Sequence, residues 1–162
     1  MILKLIGLLI TVIAVALIVN TVENTRKRDA SKISFREAMD LTELPIVTFN
    51  SGEKKINFLL DTGSNVSYIN SSVIPLLDHE KIDKNMETIG IEGNKVNNPF
   101  CKMSITYKNR IFEEEFSIAS LDNAFNVIKQ ESGVQIHGIL GSKFFEKYKY
   151  VLDFKELIAY TR

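Results

Sequence analysis

The stretch that decides the fold is Ile56-Asn57-Phe58-Leu59-Leu60-Asp61-Thr62-Gly63-Ser64-Asn65-Val66-Ser67-Tyr68-Ile69. Its first five residues alternate and then turn apolar on both faces, the pattern of a strand entering a core. The strand ends on an acid, and three turn-forming residues follow. Val66 to Ile69 reads as another short strand. An acid at the end of a buried strand is costly unless its oxygens are hydrogen-bonded. Gly63 lets the backbone approach and brings an amide near the Asp61 carboxylate. The hydroxyls of Thr62 and Ser64 can donate to it or to its neighbours. Taken alone, Asp61-Thr62-Gly63 is a polar β-turn, because three residues recur often by chance.

Outward from this stretch the texture stays β. Leu44 to Phe49 reads as a strand and Asn50 to Glu53 as its turn. Ser71 or Ser72 caps a short helix through Leu77. Glu87 to Val96 gives two extended runs around Glu92-Gly93-Asn94, a hairpin signal. Met103 to Tyr107 and Ile111 to Ala119 give a second hairpin, with Phe112, Phe116 and Ile118 as its apolar points. Ile136 to Leu140 is an apolar strand. Gly141-Ser142 then opens a helix over Lys143 to Lys149, with Ser142 as its cap. Tyr150 to Phe154 and Leu157 to Tyr160 close the chain as two strands. The expectation is an all-β domain over 43–162 with one short C-terminal helix.

The context of the tripeptide outweighs the turn reading. Asp61-Thr62-Gly63 ends an apolar strand, and Ile139-Leu140-Gly141 follows far downstream, before a helix. With these two motifs in this order the chain resembles the retropepsin-like aspartic proteases, the single-domain relatives of pepsin. The family's active-site strand ends in Asp-Thr/Ser-Gly, matched by Asp61, Thr62 and Gly63, with Ser64 at the usual Ser/Ala position. An apolar-apolar-Gly strand crosses behind that loop, matched by Ile139, Leu140 and Gly141. A hairpin between the motifs forms a flap over substrate, and Ile89, Gly90, Ile91, Glu92 and Gly93 stand in the right order for it. The resemblance covers Leu44 to Tyr160.

The resemblance implies a single-lobe closed β-barrel whose catalytic carboxylate is Asp61. One lobe supplies one aspartate, so it implies a homodimer that hydrolyses peptide bonds with a water activated between two Asp61 carboxylates. It implies a protein or peptide substrate and no metal or organic cofactor. Thr62 would tie the two active loops together across the dimer axis, and Gly63 would turn its backbone to the substrate side. The chain departs from viral members, which often carry Arg after the second-motif glycine, where this one has Ser142-Lys143. Glu92 near the flap tip makes contacts there more polar. The alternative is a catalytically inactive peptide-binding or dimerisation module on the same fold.

Composition sets the outer bounds. The chain has 162 residues, with 20 basic and 20 acidic side chains. A neutral balance argues against a nucleic-acid binder, which would show a basic excess. Cys101 is the one cysteine, which excludes an internal disulfide. Two histidines, His79 and His137, make a poor metal-ligand set. Glu113-Glu114-Glu115 reads as a solvated strand face or a bulge.

Residues 5–22 carry no charge and are rich in Leu, Ile and Val. As a helix they would span about 27 Å, near the ~30 Å hydrocarbon core. Lys4 fits the start of a signal peptide, but Val19-Asn20-Thr21-Val22 lacks a small-x-small cleavage site. The segment has no polar face, which disfavours a buried core helix. The expectation is therefore a single-pass N-terminal membrane anchor over 1–22 and a polar linker over 23–42. Arg26, Lys27, Arg28 and Lys32 follow the span and lean the following domain to the cytoplasmic side.

Overall fold

A computed structural model describes residues 12–23, 31–89 and 95–161. The chain divides into two units, Met1–Lys32 and Ile33–Arg162. In the first, helix α1 runs over 12–23, with Val12, Ile13, Val15, Leu17, Ile18 and Val19 exposed. Among the described residues no helix is long and apolar enough to cross a membrane. Of the expected span, residues 5–11 lie outside the described residues.

The second unit is mostly β. Its elements are β1 (Ile33–Ser34), α2 (Arg36–Thr42), β2 (Ile46–Ser51), β3 (Lys54–Leu60), β4 (Ser67–Asn70), a 3-10 turn (Ile74–Leu76) and β5 (Glu80–Ile89). There follow β6 (Lys95–Tyr107), β7 (Arg110–Ala119), α3 (Asp122–Ser132), β8 (Gly138–Leu140), α4 (Ser142–Tyr148), β9 (Tyr150–Asp153) and β10 (Ile158–Thr161).

The large sheet runs β2-β3-β8-β4-β7-β6-β5. β2 also pairs with β6 at Asn50 and Thr106. That pairing closes β2-β3-β8-β4-β7-β6 into a six-stranded barrel and leaves β5 outside it, on β6. The interior is aromatic, as strand alternation requires: Ile56, Phe58 and Leu60 of β3 point inward while Lys54 and Lys55 face solvent. Phe49 meets Phe58 and Phe112 edge-on at 5.8 and 5.7 Å, and Phe58 stacks on Phe116 at 5.4 Å. Such pairs contribute about 0.5–1.5 kcal/mol each beyond their burial.

A second sheet, β1-β10-β9, joins the two ends of this unit, with Ile33 opposite Ala159 and Ile158 opposite Asp153. It corrects the expected linker. Ile33 and Phe35 are buried, so the folded unit begins at Ile33 and not at residue 43.

The expectation of a single C-terminal helix is also corrected. α4 forms where expected, but its cap is Gly141 and Ser142 is its first residue. Among the described residues two further α-helices belong to this unit, and α2 falls where Ser34 to Leu41 carries Phe35 and Met39 at helical spacing. α3 was not anticipated, and it seats Phe125 against Ile46 and Ile136. It stops at Gly133, whose φ of +75° is open to glycine at little cost. The two expected hairpins are present in strand pairing but longer: β6 and β7 turn between Tyr107 and Arg110, and β5 and β6 pair up to Ile89 and Lys95. Gly90, Ile91, Glu92 and Gly93 lie outside the described residues.

Candidate active site

β3 delivers Asp61 to the rim of the barrel. Leu60 lies beside Leu140 in a parallel pair, and the Asp61 amide donates to the Leu140 carbonyl at 3.0 Å. The chain then turns tightly. The Gly63 amide donates to Asp61 Oδ1 at 2.8 Å, and the Ser64 hydroxyl donates to Asp61 Oδ2 at 2.9 Å. Each carboxylate oxygen therefore has one fixed donor, and the head group has one orientation. The Ser64 amide donates to the Asp61 carbonyl at 3.3 Å. Asp61 is half-buried, whereas Thr62 and Gly63 are exposed, so the turn is presented at the surface of a single chain.

Behind the turn lies the second motif. β8 is parallel to β3 and antiparallel to β4, with Ile139 between Leu59 and Tyr68. The crossing is close. A Cβ on Gly138 would stand 2.4 Å from the Tyr68 carbonyl oxygen and 2.7 Å from the Phe58 ring. No side chain fits there. After Gly141 the chain enters α4, and its first amides reach back to the turn. Ser142 N–H donates to the Ser64 carbonyl at 2.7 Å and Lys143 N–H to the Asn65 carbonyl at 3.3 Å. The two sequence motifs are thus one unit, joined by backbone hydrogen bonds from residue 61 to residue 143.

Three residues of this neighbourhood escaped the sequence reading. Glu114 is only 5% exposed and is not part of a solvated face. Its Oε1 accepts from the Ser67 hydroxyl at 3.0 Å, and its Oε2 meets the Lys147 ammonium at 3.2 Å. Ser67 Oγ in turn accepts from the Gly141 amide at 3.3 Å. Burial pushes the Glu114 carboxyl above its ordinary range, against the opposing pull of Lys147 and of the Ser67 hydrogen bond. A signal for this was available. Phe112, Glu114 and Phe116 are two residues apart, so a strand that buries the rings buries the acid between them.

The weaker candidates separate from this site. Cys101 is fully buried and its thiol is pushed up to about 11 by burial, which leaves little thiolate at neutral pH. His137 Nδ1 accepts from the Asn57 amide at 3.0 Å, a structural role. Asn70 is 1% exposed and hydrogen-bonded through both side-chain heteroatoms, a structural role. Among the described residues no group of three or more His, Cys, Asp and Glu side chains stands together as a metal site.

No protein-family model and no curated protein matches the chain. Among solved structures it is similar to EIAV protease in complex with the inhibitor HBY-793. The identity is 19% and the TM-score 0.50, over 68% of this chain and 92% of that one. At that identity the likeness speaks to the fold: the unit from Ile33 onward carries a retropepsin-like barrel.

Proposed function

We propose that the chain is an aspartic endopeptidase, active as a homodimer in which each copy supplies Asp61. The observation that carries this reading is the Asp61 carboxylate at the end of β3. It is gripped by the Gly63 amide and the Ser64 hydroxyl and locked from behind by β8. Two such carboxylates facing each other cannot both ionise cheaply, so they share one proton. The ionised member takes a proton from a water, which attacks the peptide carbonyl. The protonated member donates to that carbonyl and stabilises the developing oxyanion. The apparent pKa values then belong to the pair. In this reading Thr62, exposed beside Asp61, meets its counterpart across the dimer axis, and residues 89–93 close over an extended peptide. Residues 5–22 anchor the chain in a membrane with the folded unit on the cytoplasmic side, which confines pairing to two dimensions and raises the effective concentration.

The test uses the full chain in detergent micelles, alongside Asp61→Asn. Both are assayed from pH 4 to 7 on a mixed peptide library, with and without a statine inhibitor. The expected result is cleavage by the parent, blocked by statine and reduced at least about 10³-fold in the variant. Equal cleavage by both proteins, or none by a dimer verified by sedimentation, sinks the protease reading and favours a peptide-binding module.

A further inference from the structure

We propose that Glu114 is a positioning residue for the Asp61 turn, acting through Ser67 and Gly141. Its consequence for catalysis rests on the protease reading; the positioning itself does not. The bonds form a chain across four elements. Lys147 of α4 meets Glu114 of β7, Glu114 accepts from Ser67 of β4, and Ser67 accepts from the amide of Gly141 at the end of β8. Ser67 is 1% exposed and Glu114 5%. A buried carboxylate is rare unless paired, and its partner Lys147 is half-exposed, so the ion pair itself is a weak source of stability. What it supplies is a single geometry.

The Ser67 hydroxyl has one proton. With Glu114 as acceptor that proton points to β7, and a lone pair is left for the Gly141 amide. Gly141 is followed by the two amides that hold the Ser64 and Asn65 carbonyls. Remove the acceptor and the hydroxyl rotates, the Gly141 bond weakens, and β8 loses its fixed distance to the turn. A catalytic carboxylate tolerates little drift, because sub-ångström misplacement costs rate. Other charges face Glu114 across a cavity of about 260 Å³: Lys143 of α4, Lys84 of β5 and Glu115 of β7. Lys84 is engaged with Glu115 at 2.5 Å, which leaves Lys147 as the cation bonded to Glu114.

The test compares the full chain in micelles with Glu114→Ala and Glu114→Gln, by hydrogen exchange read with mass spectrometry and by steady-state kinetics. Glu114→Gln keeps a carbonyl oxygen for Ser67. In Glu114→Ala, exchange across 62–67 and 141–143 should rise about tenfold while β2 and β3 keep their protection. Glu114→Gln should restore that protection. With substrate, the alanine variant should lose about tenfold in kcat with KM within about twofold, and the glutamine variant should recover most of it. Unchanged local exchange in the alanine variant overturns the proposal. So does a rise of equal size in β2 and β3, or a glutamine variant as loose as alanine. If a parent verified as a dimer cleaves nothing, the protease reading fails on that result, and the exchange data still decide the positioning.

Discussion

A Cβ placed on Gly141 would stand 2.3 Å from the carbonyl oxygen of Val66 and 2.8 Å from that of Ser64. Both obstacles are backbone, and both belong to the turn that carries Asp61. Neither can rotate away as a flexible side chain would. Gly141→Ala must therefore push β8 and the turn apart. The expected cost is about 1–3 kcal/mol or more in urea unfolding, with loss of any Asp61-dependent cleavage. An alanine variant with the parent's unfolding midpoint would show that the close approach is not required.

His137 predicts how stability responds to acid. Its ring is half-buried and accepts the Asn57 amide at Nδ1, which only the neutral form can do. Burial, with a smaller contribution from the Lys129 charge, lowers its pKa from the ordinary 6.5. The unfolded chain therefore takes up the proton first as pH falls. The stability due to neutral His137 is complete above 6.5 and is lost as pH drops through the folded value. His137→Asn offers an uncharged oxygen to the same amide. Chemical-denaturation midpoints between pH 7 and 5 should fall for the parent and fall less for this variant. Parallel pH slopes would contradict the assignment.

How much of this was legible in the sequence follows from where each signal lives. Asp61 to Ser64 and Ile139 to Gly141 were readable because each is local: an apolar strand meets residues with one conformational use. Their direct contact, through the Asp61 and Ser142 amides, is the non-local part. Ile33 and Phe35 looked like linker because their partner strand, β10, lies at the other end of the chain. α3 was missed because Phe125 is its only buried residue, too little for a helical stripe. The length of β5 was missed because Glu80 to Lys84 are mostly exposed, charged residues that read as loop. Glu114 was hidden in a run of three identical charges, where only strand parity separates the inward residue from its neighbours.

Two buried serines should respond oppositely to the same substitution. Ser117 Oγ is fully buried and finds no hydrogen-bond partner among the described residues. Ser67 Oγ bridges Glu114 and the Gly141 amide. Ser117→Ala removes an unsatisfied group and should stabilise by about 1 kcal/mol, whereas Ser67→Ala leaves a buried carboxylate short of a donor and should cost about 1–3 kcal/mol. Thermal unfolding of both variants checks the signs. A destabilised Ser117→Ala would mean that this hydroxyl has an acceptor after all.

Asn70 makes the sharpest discrimination, because its two side-chain atoms have different duties. Oδ1 accepts the Leu121 amide at 3.0 Å, just ahead of α3, and Nδ2 donates to Asp122 Oδ1 at 2.7 Å. Asp122 also accepts from the Ser72 hydroxyl at 3.0 Å, and its charge lies in the first turn of α3, where the helix dipole favours it. Asn70→Ala loses both bonds and leaves the Leu121 amide without its acceptor, for a cost of about 2–4 kcal/mol. Asn70→Asp keeps the acceptor for Leu121 but sets a second carboxylate at hydrogen-bond distance from Asp122. Two such groups cannot both ionise cheaply, so the damage should be greatest at pH 7 and shrink toward pH 4, where one proton can bridge them. The alanine variant has no such pair, and its deficit should stay nearly level over the same range. If both deficits follow the same pH course, the Asn70–Asp122 bond is not what holds β4 to the start of α3.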